Sequence, residues 1–324
     1  MVGLNVVSNI VNRHPKDIPV ICLMGPTATG KTDAAAQAFE LFDAEIISVD
    51  SSLVYKGMNI GTAKPDADFL KQYPHHLVDV RDPNDTYSAA DFYSDTYKLI
   101  NEITGKGKVP ILAGGSMFYF NVLEHGLSDL PKADAQLREK ITRDAETVGW
   151  SVLHERLASL DPQSAKRIDS MDAQRIQRAL EIVLSSGLSV ADHNKSRKKP
   201  IPNPMVKIAL SFSDRAVLHE RIERRFDIML EQGLQSEVEQ LLNGGVNPDS
   251  TAMKMIGYRQ MLAFLGGQMS YDDMRFKGVV ATRQLAKRQL TWLRNQRNLI
   301  WWIDNGLENK QFRPLMTLIS HFLQ

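Results

Sequence analysis

The stretch Val20-Ile21-Cys22-Leu23-Met24-Gly25-Pro26-Thr27-Ala28-Thr29-Gly30-Lys31-Thr32 constrains the fold of this chain more than any other. Its apolar start reads as a buried strand and Gly25 to Gly30 as a turn. The residues from Thr32 onward, through Ala34, Ala35, Ala36 and Phe39, read as a helix. Gly25, Gly30, Lys31 and Thr32 meet the pattern G-x-x-x-x-G-K-[ST] in the strand, loop and helix setting that gives it meaning. The physics is that of an anion nest: backbone N–H groups of the loop and of the helix start converge on one cluster of oxygens. Lys31 adds a positive charge there, and the Thr32 hydroxyl is placed for a hydrated Mg²⁺. The competing reading is a tight turn carrying a surface lysine. The loop predicts a diphosphate or polyphosphate ligand and leaves open which ligand it is and which bond breaks.

The rest of the chain repeats the alternation. Glu45 to Val49 reads as a second strand ending at Asp50, followed by Ser51 and Ser52. Tyr55 to Pro65, rich in glycine and polar groups, reads as a loop or broken helix, and His76 to Val80 as a third strand. Ser88 caps a predicted helix from Ala89 to about Thr104. Pro110 to Ala113 returns as a strand leading into Gly114-Gly115-Ser116. Strand and helix at these spacings imply an α/β fold, a parallel sheet covered by helices. Ligands of such sheets sit at the carboxyl ends of the strands, so the phosphate loop, Asp50 and Gly114-Gly115-Ser116 are expected on one rim. Residues 133–186 read as helical, with Gly187 closing the last of these helices, and Lys195 to Pro204 as a basic, proline-rich loop. Val206 to Phe212 is a further strand, Asp214 to Leu242 one long helix, and Met253 to Leu265 and Tyr271 to Arg297 two more. Leu299 to Ile303 is a last strand.

Composition narrows the functional classes. In 324 residues Cys22 is the only cysteine, so there is no internal disulfide and no cysteine set for zinc or an iron–sulfur cluster, and a reducing compartment is expected. Nothing resembles an export signal, and no apolar run approaches a membrane span. The net charge of +1 hides two basic tracts. From Lys166 to Lys199 there are eight Lys/Arg against four Asp/Glu; from Arg275 to Arg297 there are seven and no acid. Two such tracts on a nearly neutral chain point to a polyanion-binding patch.

Several side chains are candidates for chemistry. Asp50, at the end of a strand beside the phosphate loop, can accept a proton, hold an amine or coordinate metal through water; it can equally cap a helix or pair with Lys31 and Thr32. Arg221 and Arg225, four apart on one helix, can both reach an anionic leaving group, or pair with neighbouring acids. Arg283, Lys287 and Arg294 share a face opposite Ala286, Leu290 and Leu293, a pattern suited to phosphate contacts. Arg175 and Arg178 can form a second wall, which suits a looped or single-stranded polynucleotide. His75 and His76 lack spaced partners for a metal site, and Trp292, Trp301 and Trp302 read as core or sheet-face residues.

Beyond the loop, a series of blocks resembles one family, the tRNA dimethylallyltransferases (tRNA isopentenyltransferases). They are Ile47-Ser48-Val49-Asp50-Ser51, Val54-Tyr55-Lys56-Gly57-Met58, Ile60-Gly61-Thr62-Ala63-Lys64-Pro65, Tyr87 to Phe92, Gly114 to Met117, Arg175 to Glu181, Gly257 to Gln260 and Thr282 to Gln289. The resemblance implies a P-loop NTPase-like α/β core with a mostly helical insertion. The core's first part is expected at 1–122, the tRNA-binding lobe at 123–204 and the completion of the core at 205–324. It implies transfer of the five-carbon group of dimethylallyl diphosphate to N6 of adenosine 37, beside the anticodon of tRNAs reading codons that begin with U, with Mg²⁺ as cofactor. Asp50 is then the general base, and Thr27 places the reacting centre. The diphosphate is held by Gly25, Pro26, Thr27, Ala28, Thr29, Gly30, Lys31 and Thr32, with Thr32 also toward the metal. Arg225, with Arg221 as the alternative, clamps the same group.

The resemblance puts the tRNA anticodon stem-loop against Asp50, Ser51, Ser52, Leu53, Val54 and Ser116 and against Gln174, Arg175, Ile176, Gln177 and Arg178. It also contacts Lys254, Gly257, Tyr258 and Arg259, and Arg283, Lys287, Arg288 and Arg294. A cytoplasmic enzyme with no membrane association and no obligate protein partner is expected. Thr29 stands where serine is commoner, which keeps the hydroxyl. Two other classes share the cradle: a nucleotide or nucleoside kinase, which needs a lid over the transferred phosphoryl group, and an ATP-gated RNA-binding protein.

Overall fold

The computed structural model describes residues 13–132, 134–193, 197–304 and 312–324; Lys195 of the basic cluster lies outside them. Six strands form one sheet: β1 (Val20–Met24), β2 (Ala44–Val49), β3 (His75–His76), β4 (Val109–Gly114), β5 (Met205–Phe212) and β6 (Leu299–Asp304). Their order is β3-β2-β4-β1-β5-β6, and every pairing is parallel. The α/β reading therefore holds. All five residues of β1 are buried, because a central parallel strand is covered on both faces and needs an unbroken apolar run.

The chain divides into two compact units, residues 1–124 with 202–324, and residues 125–201. In the first, α1 (Lys31–Leu41) lays Ala34, Ala35 and Ala38 against Ile21 and Leu23 of β1 and Ile111 of β4. Small residues there let the helix that starts at the phosphate loop lie close to the sheet. α2 (Ala67–Gln72) follows the second strand, and α3 (Ala89–Gly105) opens on a capping box in which Ser88 and Asp91 each satisfy the other's backbone N–H. α4 (Met117–His125) leaves the Gly114-Gly115-Ser116 turn.

The second unit contains α5 (Ala135–Val148), α6 (Trp150–Leu160), α7 (Pro162–Arg167), α8 (Ala173–Ser186) and α9 (Val190–His193). It has its own core of Ile141, Leu153, Leu157, Ile176 and Leu180. Within it Glu181, almost fully buried, takes both a two-pronged bond from Arg138 and one from Arg178.

Four expectations are corrected. The third strand is only two residues long, because Leu77 and Asp79 take left-handed backbone (φ 64° and 55°) that no strand continues through. The long helix expected from Asp214 to Leu242 is two, α10 (Arg215–Glu231) and α11 (Leu234–Asn243), divided at Gly233 with φ 96°. The helix expected from Met253 begins at Tyr258 as α12 (Tyr258–Leu265), after Gly257 with φ 92°. The helix from Tyr271 stops at Arg294 as α13 (Tyr271–Arg294), and a last helix absent from the sequence reading, α14 (Arg313–Leu323), buries Leu315, Met316, Ile319 and Leu323 in the main core. Among the described residues, no helix is long and apolar enough to cross a membrane.

Candidate active site

The parallel order puts the carboxyl ends of β1, β2 and β4 side by side, and the residues that follow them meet there. Gly25 admits no side chain: a Cβ would lie 2.6 Å from the Leu210 carbonyl oxygen. Ala28 and Gly30 both have left-handed backbone (φ 66° and 83°), which turns successive amides inward as an anion nest requires. The Thr29 hydroxyl is spent on the Pro26 carbonyl at 2.9 Å and is buried, so its part is to brace the loop. Lys31 Nζ donates to the same carbonyl at 2.6 Å. Burial, with Arg225 alongside, pushes the Lys31 ammonium down to about 7 against a smaller upward pull from Asp50.

Asp50 follows β2. Its Oδ1 accepts from the Ser52 N–H at 2.8 Å and the Ser52 hydroxyl at 2.6 Å, which fixes the carboxylate plane. At the end of β4, Gly114 is obligatory, since a Cβ would lie 2.0 Å from the Val49 carbonyl oxygen. That close approach brings the Ser116 hydroxyl to the Ser51 N–H at 3.0 Å. Arg225, on α10, donates to the Thr27 hydroxyl at 3.1 Å and the Ala63 carbonyl at 3.3 Å; burial lowers its pKa while Asp50 holds it up.

Thr27, Lys31, Thr32, Asp50, Ser51, Ser52, Ser116 and Arg225 border one cavity of about 620 Å³. Ile222, Phe226 and Met229 of α10 and Leu285 and Trp292 of α13 supply an apolar wall, with Arg288 and Gln289 also facing in. Trp292, expected as a core or sheet-face residue, is thus a cavity residue 39% exposed.

Other predicted positions separate. Arg221 is not at the cavity; its guanidinium lies over the Phe212 ring at 4.9 Å, which leaves Arg225 as the arginine at the phosphate loop. The side chains of Val54, Tyr258 and Ile176 are buried and pack in the fold, and Gly257 is buried with them. Arg178 is tied to the Pro131 carbonyl and Glu181. Gln177 is tied to Thr142, while Gln174 and Arg175 lie on the surface of the second unit. Arg283 is not part of a free basic stripe: Glu223 of α10 accepts from it at 2.7 Å, and Glu223 with Asp227 also binds Arg275. Lys287, Arg288, Arg294, Lys254 and Arg259 remain exposed, as does Ser51, and Leu53 borders the cavity.

Two residues outside the expected site set shape the site. Glu237 of α11, 8% exposed, accepts from the N–H groups of Asn59 (2.8 Å), Ile60 (2.7 Å) and Gly61 (3.0 Å) and from the Tyr258 hydroxyl (2.7 Å). It thereby fixes the loop whose Ala63 carbonyl receives Arg225. Gly61 is required there, since a Cβ would sit 2.6 Å from the Tyr258 ring. Glu237→Ala strands four donors and is expected to cost on the order of 3 kcal/mol of stability, read as a lowered urea midpoint. A midpoint equal to the parent's removes Glu237 from the framework of the loop. The second residue, Gln289, bridges Thr27 and Gly115.

The family model described as IPP transferase matches residues 53–296. The tRNA dimethylallyltransferase of Methylobacillus flagellatus is 47% identical over 308 residues, 94% of this chain and 97% of its own. Among solved structures, the tRNA isopentenylpyrophosphate transferase of Bacillus halodurans has a TM-score of 0.69 at 34% identity, over 95% of this chain and 97% of that one. A eukaryotic dimethylallyltransferase captured acting on tRNA has a TM-score of 0.76 at 25% identity, over 94% of this chain and 78% of its own.

Proposed function

This chain belongs to the IPP transferase family and transfers a dimethylallyl group to tRNA; we propose that dimethylallyl diphosphate is the donor and N6 of adenosine 37, in tRNAs reading codons that begin with U, the acceptor. The observation that carries this reading is the shared cavity. A phosphate loop, a carboxylate and a half-buried arginine border it, and its remaining wall is apolar enough to shelter a five-carbon chain.

In the proposed step the N6 lone pair attacks the carbon that bears the diphosphate. The C–O bond breaks with its electron pair leaving on diphosphate, and the N6 proton passes to Asp50 through Oδ2, since Oδ1 is held by Ser52. Negative charge grows on the leaving group, where Lys31, Arg225 and the amides at the start of α1 oppose it. Thr27, whose hydroxyl accepts from Arg225, borders the same cavity as Lys31 and Asp50 and would help place the reacting centre. Mg²⁺ fits a donor set of the Thr32 hydroxyl, diphosphate oxygens and water, all hard oxygen ligands. Bound there it would neutralise charge on the diphosphate.

The adenine leaves the anticodon-loop stack to enter the cavity, which costs less in a loop than in a duplex. Ser51, Ser116 and Arg288 stand at its border, and Lys287 and Arg294 continue outward along α13. A substrate of this kind, and a sole cysteine buried as a free thiol, suit the cytoplasm.

Radiolabelled dimethylallyl diphosphate mixed with unmodified tRNA tests the reading. Label on adenosine with one diphosphate released per transfer is expected; phosphate transfer from ATP, with no label on RNA, overturns it. Lys287→Ala is expected to weaken tRNA binding several-fold and to lower the slope of log K against log salt by about 0.7–0.9, one phosphate contact. Diphosphate affinity should stay unchanged. An unaltered salt slope removes Lys287 from the RNA-binding face.

A further inference from the structure

Gln289 lies on α13 between the two loops that the proposed reaction must keep in register. Its Oε1 accepts from the Thr27 N–H at 3.2 Å, on the phosphate loop after β1. Its Nε2 donates to the Gly115 carbonyl at 2.8 Å, on the turn after β4. The side chain is 8% exposed and borders the reaction cavity. Turning the amide over would set donor against donor and acceptor against acceptor, so the two partners define one orientation.

Gly115 supplies a separate observation. A Cβ built there would fall 2.5 Å from Gln289 Nε2, so the glycine makes room for this amide. The next residue, Ser116, holds the Ser51 N–H beside Asp50. One side of the glutamine thus meets the loop that would grip the leaving group, and the other meets the segment that abuts the proposed base.

We infer that Gln289 is a positioning residue that sets the spacing between the diphosphate-holding loop and the acceptor-side turn, seated in the gap that Gly115 leaves. The inference rests on the reaction proposed above. The glutamine touches neither reacting atom. It holds the Thr27 amide and the Gly115 carbonyl at a fixed separation, and so sets how far the attacking nitrogen stands from the carbon it must reach. Reactions of this kind depend steeply on that distance, and about 1 Å of misplacement can cost about 10²-fold in rate. Both bonds also lie on a helix whose neighbouring exposed residues, Lys287 and Arg288, are the proposed RNA contacts, which puts RNA binding and donor alignment on one rigid element.

The test uses the full chain with unmodified tRNA and dimethylallyl diphosphate. Gln289→Met keeps the length of the side chain and removes both hydrogen bonds. It is expected to lower the single-turnover rate about 10–100-fold, with tRNA affinity and the KM for diphosphate donor within about threefold of the parent. Gly115→Ala, which evicts the amide, should show the same split between rate and affinity. The double variant should be no slower than the worse single one, because both changes undo the same bridge. Thermal unfolding of each variant within a few degrees of the parent separates misalignment from loss of fold; Gln289→Asn, which keeps the amide on a shorter arm, serves as a second variant if methionine proves unstable. Full additivity of the two substitutions, or a defect confined to tRNA affinity, overturns the inference. Failure of the parent itself to label tRNA would instead overturn the proposed reaction.

Discussion

Asp50→Asn is expected to slow single-turnover transfer on saturating tRNA about 10²–10⁴-fold, the range that a positioned general base supplies. The substitution is nearly isosteric, and Oδ1 can still accept both bonds from Ser52, so the local turn should persist. What changes is the second oxygen, replaced by an NH₂ group that cannot take the N6 proton. The loss should therefore fall on the chemical step and leave tRNA affinity near the parent's. A single-turnover rate within threefold of the parent would show that the proton leaves by another route.

Lys31→Met is expected to lower kcat/KM for the diphosphate donor about 10²–10³-fold, the cost of one charge-stabilising donor, and to remove a pH limb. In the free protein the Lys31 ammonium titrates at about 7 because it is buried beside Arg225. The protonated form is the one that pairs with diphosphate. Below pH 7 it is already present, so kcat/KM is level with respect to this group; above pH 7 each unit should cost up to tenfold. Anion binding draws the pKa upward again, so at pH 8 the protein should take up a proton as diphosphate binds. Titration calorimetry in two buffers of different ionisation enthalpy measures that uptake. A limb that survives in Lys31→Met belongs to another group.

The sheet and the rim were legible because their signals are local. An unbroken apolar strand before a glycine loop, and a carboxylate closing the next strand, each depend on a few adjacent residues. Features that depend on distant partners were not legible in the same way. Gln289 accepts from an N–H 262 residues away in sequence, and Glu237 from that of Asn59, 178 residues away, so neither spacing carries a trace of the contact. Tyr258 and Ile176 sit inside motifs that suggested surface contact, yet burial assigns them to the packing beneath those motifs. Arg221 and Arg225 are one turn apart and differ only in what each helix edge faces: an aromatic ring for the first, the phosphate loop for the second. The acid-free tract from Arg275 misled for a related reason. The compensating carboxylates, Glu223 and Asp227, come from another helix.

That last lattice has a mechanical consequence. Because Glu223 and Asp227 grip Arg275, and Glu223 also grips Arg283, the helix that carries Arg225 and the helix that carries Gln289 are riveted together a short way behind the cavity. Sliding one past the other would separate several bonded charges at once. Breathing that lets a purine in or diphosphate out is then expected first of the loops, with this pair of helices as the anvil against which they move.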